Sequence, residues 1–497
     1  MRIDIAVAKG RARALHANLA KRLRAAGHAA RFSFHHPAAS PPAGLALLMS
    51  LEDLVYGPLS ADLLAEASLA PDGFDGAPDL VIEFADGAAS DGARTLTPWF
   101  DGHMGSAAAC AALMEGRAPT VTIVERSPEG RLSCRGTGLP ALEHPHRFKD
   151  SANRVAARVN DLVARAVADI AAGRTAPPMT ASAASIHIGA GDALRFAMSA
   201  LAGRVAARLR KLCEDGESWR VAWRRHGGDS IQRTFAWPSA GLSILPDDGK
   251  RYYADPFVMA RDGQIHIFVE EFPYATGKGF VSVSTLSANG VPSAPRPVLE
   301  APFHLSWPYV FERGGAVYMM PEARAGNCLR LYRAERFPDV WVEDRVLIDN
   351  IAAADPTMLE WGGRLWLFAS LAEAGQSDWD TLGLFHAERL DGPWTPHPGN
   401  PVMIDATQAR AAGHVFQREG RLIRPVQDCA RGYGSGLAFC AIDSLDTEAY
   451  AQSLAGRLGP PPGSGLNGVH TLNEAAGVEV IDLLGTRQQG PAIPQHR

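Results

Sequence analysis

Two sets of polar residues recur at matching places in the second half of this 497-residue chain. Asp255, Trp307, Asp355 and Gly413 hold the second position of four similar segments, and further along the same segments stand Glu270, Glu322, Ser370 and Asp428. Acids that return in this way are poorly explained as scattered surface charge, although each could also tie down a neighbouring loop. Gathered together, they suit chemistry at a glycosidic bond. One carboxyl protonates the leaving oxygen, another activates water or attacks the anomeric carbon, and mutual repulsion splits their pKa values. Asp255, Glu322, Asp355 and Asp428 are the candidates for that work. Glu270 and Glu271 would hydrogen-bond sugar hydroxyls, Trp307 would offer a flat face to a sugar ring, and Arg424 could grip a phosphate or carboxylate with two parallel bonds. His414 and His470 could hold an ion or a water, but a lone histidine is more often a hydrogen-bonded structural residue. The sequence shows no metal-ligand spacing and calls for no cofactor. The string GAGDALRFAMSALAG at Gly189 lacks the preceding strand that a dinucleotide-binding loop needs.

The segments that carry these residues are ADPFVMARDGQIHIFVEE from Ala254, SWPYVFERGGAVYMMPEA from Ser306, ADPTMLEWGGRLWLFASL from Ala354 and AGHVFQREGRLIRPVQDC from Ala412. A weaker fifth copy, NGVHTLNEAAGVEVIDLL, begins at Asn467. Each reads as an apolar strand, a polar turn with glycine and a second apolar strand. They start about 50 residues apart, the period of a propeller blade built from a four-stranded sheet. Five copies predict a five-bladed β-propeller over residues 218–487. SWRVAWRRH at Ser218 is a lone strand ahead of the first copy, and pairing it into the last blade would close the ring and leave no free edge.

The first half has a different texture. Only one of the ten tryptophans precedes residue 200, and apolar strands alternate with helical periodicity. Strands are expected at 3–8, 30–34, 80–84 and 120–125, and helices at 11–26, 106–115 and 149–171, as in a parallel sheet flanked by helices. This predicts an α/β domain over 1–172. The breaker-rich GRTAPPMTASAAS at Gly173 reads as a linker, followed by an amphipathic helix from Asp192 to Cys213 that carries Arg195, Arg204, Arg208, Arg210 and Lys211. That helix either packs on a neighbour or lies on anionic lipid. Residues 173–217 are thus a linker and helix, and 488–497 a disordered tail. The whole chain is multidomain: an N-terminal α/β, Rossmann-like domain followed by the all-β propeller.

A net charge of −5 argues against a nucleic-acid partner, and six scattered cysteines without a CxxC pair fit a reducing compartment. With no signal-peptide pattern at the start, a cytoplasmic location is expected. Oligomeric state is not legible.

ADPF at Ala254 and DPT at Asp355 resemble the blade-opening Asp-Pro motifs of five-bladed glycosidases of the arabinanase, β-xylosidase and invertase type. That resemblance implies a base or nucleophile role for Asp255 and a tuning role for Asp355. It also departs from the pattern, because Ala411-Ala412-Gly413 occupies the start of the fourth blade where those enzymes place an acidic glutamate; Glu322 or Asp428 would have to substitute. A fuller match joins YYADPF, LSWPYVFE with YMMPEA, ADPTMLEWGGRLWLF and RLIRPVQDCARGYG, which are similar to the N-terminal domain of plant glucosamine inositolphosphorylceramide transferases and their bacterial relatives over 218–485. In those plant proteins the glycosyltransferase domain is a separate portion, so the likeness does not by itself confer transfer. In the first half, LTPWFDGHMGSAAACAALMEGRAPTVTIVE at Leu96 resembles a helix-and-strand segment of formyltransferases. The only asparagine before residue 150 is Asn18, so Asp101 and His103 imply a degenerate, non-catalytic formyltransferase-like domain.

These observations favour a carbohydrate-active propeller that acts on glycosidic bonds by transfer or hydrolysis. The alternative is a non-catalytic carbohydrate-binding or scaffold protein of a glycan assembly pathway. Either way the partner is a carbohydrate or glycolipid, with peripheral membrane contact if the basic helix lies on lipid instead of packing on a neighbour. A protein-interaction propeller would place its distinctive residues on the outer rims instead of the centre.

Overall fold

The computed structural model describes residues 1–36, 44–71, 73–85, 92–180, 189–213, 216–239, 241–287, 289–371 and 376–486. The tail expected at 488–497 and much of the linker lie outside the described residues. The chain divides into two compact units: one is Met1–Arg208 with a short excursion at 374–377, the other is the remainder.

The first unit is built on a mixed sheet of β1 (Arg2–Ala8), β2 (Ala29–His35), β3 (Leu80–Glu83), β4 (Thr95–Phe100), β5 (His103–Met104), β6 (Val121–Arg126) and β7 (Leu132–Gly138). Its order is β2-β1-β3-β4-β6-β7, with β5 beside β4. Strands β1 to β4 run parallel, as the strand–helix alternation predicts. The expectation of a parallel sheet fails beyond them. Strand β6 is antiparallel to β4 and folds straight back into β7 through the Ser-Pro-Glu-Gly turn at Ser127. Strands β4 and β7 escaped sequence reading for physical reasons: β4 contains Pro98, and the small and polar LSCRGTG of β7 lacks a buried run.

Helix α1 (Ala14–Ala25), α2 (Leu45–Tyr56), α3 (Ser106–Met114) and α4 (Phe148–Ala171) belong to this unit, as does the described part of α5 (Ala190–Cys213) up to Arg208. Val155, Val159, Leu162, Val163, Ala166 and Val167 recur on one face of α4 and are buried in the unit's core. Asp101, at φ 50°, accepts from the Thr120 N–H at 2.8 Å and from Arg117 at 2.6 Å, which ties down the turn between β4 and β5.

The second unit is a five-bladed propeller. Blade one comprises Arg251–Arg261, Gln264–Pro273, Phe280–Leu286 and Arg296–Leu299. Blade two comprises Ser306–Arg313, Ala316–Glu322, Cys328–Arg336 and Val340–Asp349. Blade three is built on Ala353–Trp361, Arg364–Leu371 and Thr381–Ala387, and blade four on Phe416–Arg418, Arg421–Gln427, Leu437–Leu445 and Tyr450–Leu458. The fifth takes Leu472–Ala475 and Val478–Thr486 from the end of the chain and Glu217–Arg225 from before the first blade, with Thr486 opposite Glu217 and Val478 opposite Arg225. The ring closes as the lone strand at Ser218 predicts. Arg224 secures the seam through an ion pair with the fully buried Glu479, whose other oxygen accepts the Ile231 N–H at 2.8 Å.

One local device repeats. The opening strands of blades one to three each break register, between Ala254 and Phe257, Ser306 and Tyr309, and Ala354 and Thr357. At these bulges Asp255, Trp307 and Asp355 take left-handed backbone, with φ of 50°, 49° and 51°. Such geometry is costly for a tryptophan and persists only where the surroundings over-determine it. The surroundings are hydrogen bonds. Each bulge takes an N–H out of its ladder and gives it to a side chain of the neighbouring blade. Asp255 donates to Asp482 Oδ2 (3.1 Å), Trp307 to Asp255 Oδ2 (3.0 Å) and Asp355 to Glu322 Oε2 (3.1 Å). His414 N–H does the same with Asn473 Oδ1 (2.8 Å). The recurring acids therefore stitch blade to blade around the centre.

Candidate functional site: an acid cluster at the centre of the propeller

Four of the acids singled out in the sequence come together at this centre, but with unequal freedom. Asp255 is buried, and both its oxygens are engaged: Oδ1 with the Thr471 hydroxyl (3.0 Å) and His470 Nε2 (3.2 Å), Oδ2 with the Trp307 N–H. His470 Nδ1 lies 2.6 Å from Asp482. With a carboxylate at each ring nitrogen this imidazole is an imidazolium. Burial pushes its pKa down, but Asp482 and Asp255 outweigh burial and hold it at about 10. Asp255 reflects the same contact: burial pushes its carboxyl up, and His470, the Trp307 N–H and Thr471 together hold it below its ordinary value.

Asp355 is gripped by Arg410, with Nε at 2.6 Å and Nη2 at 3.2 Å, and by the Gln427 amide at 3.1 Å. Arg410 also meets Asp378 (2.7 Å) and reaches toward Glu322 at 3.9 Å, while Arg324 takes the other oxygen of Asp378. Burial raises the Asp355 pKa above its ordinary value, and the Arg410 guanidinium, which keeps its charge, works against that rise.

Glu270 and Glu322 differ from these two. Burial, then the charge of Asp255, pushes Glu270 well above the usual carboxylate range. Burial, then the charge of Asp355, does the same to Glu322, which also shares a side-chain hydrogen bond with Asp355 as the proton-bearing partner. Around Glu270 Oε1 stand the Tyr252 hydroxyl (3.4 Å) and His304 Nε2 (3.3 Å). Two carboxyls pushed well above the usual carboxylate range, beside Asp255 held below it and Asp355 gripped by a guanidinium, is the kind of separation that acid–base chemistry needs.

Several sequence expectations are corrected. Asp428 is not in the cluster: it pairs with Arg457 at 2.5 Å. The turn at Glu419-Gly420 (φ 52° and 78°) matches Asp262-Gly263 (51° and 76°), and this registers Gln427, not Asp428, with Glu270 and Glu322. A slip of one residue turns a strand side chain to the opposite face. Glu271 alternates away from Glu270 and pairs with Arg251 and the Ser282 hydroxyl (2.6 Å). Trp307 offers no face to a sugar, being fully buried, edge-on to Phe257, with its indole N–H donated to Pro356 O at 3.0 Å. Arg424 spends its guanidinium on the Gln408 and Ala409 carbonyls (2.6 and 2.9 Å) and Gln452 (3.1 Å). His414 packs against Tyr309 and Phe257, and burial pushes its imidazole down to about 4, so it stays neutral within an aromatic cluster.

The aromatic faces come from residues that sequence reading passed over. Tyr433 is partly exposed and lies 5.2 Å from His470, 5.5 Å from Trp379 and 6.4 Å from Trp219 between ring centroids, with the Arg410 guanidinium 4.9 Å over its ring. Trp219, also partly exposed, sits 4.0 Å from His470. Tyr433, Arg410 and Asp378 lie outside the gap-free repeats, so periodicity could not expose them; the only signal was RLIRPVQDCARGYG, which contains Tyr433. Its loop is seated by Gly434, at φ 61°, where a Cβ would stand 2.8 Å from the Trp219 ring and 3.0 Å from His470 Cβ. Gly434→Ala is expected to cost about 1–2 kcal/mol from strain and displacement of that loop. A melting temperature within error of wild type would show that the loop is not packed in this way.

Residues 239–455 match the family model described as glucosamine inositolphosphorylceramide transferase 1, N-terminal. This segment is similar to that domain family. The relatives include glucosamine inositolphosphorylceramide transferase 1 of Oryza sativa subsp. japonica, 32% identical over 235 residues, covering 45% of this chain and 32% of the relative. The same-named protein of Arabidopsis thaliana is 29% identical over 246 residues, covering 47% of this chain and 31% of the relative. The chain thus spans about a third of the length of the curated relatives it matches. Among solved structures, similar chains include a family 117 glycoside hydrolase from Zobellia galactanivorans (13% identity, TM-score 0.34, 54% of this chain and 90% of that one). Another is the Cellvibrio cellulosa α-L-arabinanase in complex with arabinohexaose (12% identity, TM-score 0.32, 40% of this chain and 77% of that one).

Proposed function

We propose that the propeller binds the sugar portion of a glycan or glycolipid at its central acid cluster and acts on a glycosidic bond there. The observation that supports this most directly is the convergence of Glu270 and Glu322, both pushed well above the usual carboxylate range, with Asp255 and Asp355 at one centre. Glu322 is the proposed general acid. Burial and the neighbouring Asp355 favour its protonated form, so that it keeps the proton until a leaving oxygen takes it. Glu270 is a second carboxyl whose protonated form burial favours, and Tyr433 and Trp219 provide ring faces of the kind sugars stack on. Asp255 and Asp355 are positioning residues in this reading, since their oxygens already hold the blades, His470 and Arg410. This revises the base or nucleophile role that the glycosidase resemblance implies for Asp255. The names of the relatives direct the choice of substrates toward inositol-phosphate glycolipids bearing an amino sugar.

The test is a turnover and binding screen over such glycolipids and simple glycosides, comparing wild type with Glu322→Gln. Turnover is expected to fall on the order of 10²-fold with binding retained, because the amide keeps the shape but has no proton to release. Unchanged turnover would remove Glu322 from the chemistry. A second reading, carbohydrate binding without turnover, draws on the fact that the charged carboxylates are already occupied by protein groups. Saturable glycan binding with no product under any condition would establish it in place of the first.

A further inference from the structure

Helices α2 and α5 lie beside each other in the first unit, and each leaves apolar side chains bare. Phe196 of α5 is buried against Phe148, a Cβ on Gly44 at the start of α2 would touch Ala193 at 3.9 Å, and the Tyr56 ring is covered by Arg147 (4.2 Å) and Arg204 (4.7 Å). Away from that contact, α5 exposes Leu194, Met198, Leu201 and Val205, a stripe spaced by four, three and four residues along one face. From α2 the exposed residues are Leu47, Leu51, Leu54 and Val55, with Leu54 82% accessible. These two helices hold eight of the fourteen large apolar side chains left exposed among the described residues, which sets the patch apart from ordinary scatter.

The charge around the patch is one-sided. The α5 sequence carries Arg195, Arg204, Arg208, Arg210 and Lys211 against a single acid, Asp192, which is already paired with Arg195. The acids of α2 turn to other work: Glu52 accepts the Phe148 and Lys149 N–H groups at 2.7 Å each, and Asp53 pairs with the Lys149 ammonium at 2.7 Å. An apolar face on helices with this cationic excess in sequence, and with Arg147 and Arg204 at its Tyr56 end, fits an anionic lipid surface, with the leucines and methionine among the acyl chains and the arginines at the phosphates. A second copy of the chain is a poorer fit, since it would bring the same cations against one another. No helix among the described residues is long and apolar enough to cross a membrane. We propose that α2 and α5 form an interfacial ledge that holds this chain to the surface of an anionic bilayer. The proposal does not depend on the sugar chemistry of the propeller.

Flotation of the full chain with phosphatidylcholine vesicles, and with vesicles containing about one third phosphatidylserine, tests it. Partitioning onto the anionic vesicles is expected to exceed that onto phosphatidylcholine by roughly 100-fold, and to weaken in high salt. Leu194→Ser/Leu201→Ser is expected to lower it at least tenfold with an unchanged melting temperature, because both side chains are exposed in the free protein. Should that pair alter folding, Leu54→Ser, at the most exposed position, is expected to lower partitioning severalfold. Equal binding to both vesicle types, no binding to either, or full binding by the variants would overturn the proposal. So would a wild-type dimer that the double variant converts to monomer, which would make the face a contact between copies.

Discussion

Replacing Arg410 with methionine is expected to destabilise the propeller by about 3–5 kcal/mol, the usual loss when one member of a buried ion-pair network is removed. Arg410 is the shared cation of Asp355 and Asp378 and the nearest positive charge to Glu322. Methionine fills much of its volume, so the loss reports charge more than cavity. Two carboxyls left without their cation would take up protons more readily, and the variant should recover more stability in acid than wild type gains over the same interval. Adding Asp355→Asn and Asp378→Asn should restore a substantial share at neutral pH. Urea unfolding followed by tryptophan fluorescence isolates the relevant unit, because nine of the ten tryptophans lie in the propeller. A loss under 1 kcal/mol would show that the network is solvated and that these acids do not need Arg410.

The second large effect is a dependence of stability on pH. His470 has a folded pKa of about 10 against an ordinary 6.5. A raised histidine pKa means that the folded state binds the extra proton. Its contribution is therefore complete below about pH 6.5 and disappears as pH climbs toward 10. Asp255 works at the other end: its lowered pKa stabilises the fold above the ordinary carboxylate value and is lost as pH falls through its folded pKa. Because the two groups share one interaction, the total is on the order of 4 kcal/mol and must not be counted twice. Glu270 and Glu322 have raised values and so add to the decline with rising pH. The histidine part is isolated by His470→Gln, which should flatten the stability curve between pH 7 and 10 relative to wild type. Curves that stay parallel across that interval would mean His470 is neutral in the native protein.

How far the sequence carried these conclusions depended on which residues obeyed its period. The hairpins of blades one to three align without gaps because the same polar-glycine turn ends each opening strand, so the ring and the convergence of Asp255, Glu270, Glu322 and Asp355 could be read directly. In the fourth copy the turn arrives one residue early, and that single offset put Asp428 where Gln427 stands. Trp307 and Arg424 show a different limit. Residue type announced an aromatic face and an anion grip, but direction comes from the bulge at Trp307 and from the carbonyls around Arg424, which no spacing encodes. Arg410 and Tyr433 sit in loops between repeats, and Asp378 just ahead of a strand, so what completes the cluster is what differs between blades. In the first unit, apolar runs disclosed β1, β2, β3 and β6, whereas Pro98 concealed β4 and the small and polar residues of β7 concealed that strand.

The seam of the ring has a consequence for synthesis. Arg224 must find Glu479, which lies 255 residues downstream. At roughly 5–20 residues per second, a ribosome leaves that first strand without its neighbour for about 13–50 s. Throughout that interval an edge rich in tryptophan and arginine is open to any passing β-strand. Nascent chains stalled before Val478 should therefore be captured by holdase chaperones far more strongly than chains released after Thr486, and supplying the missing segment as a free peptide should relieve that capture.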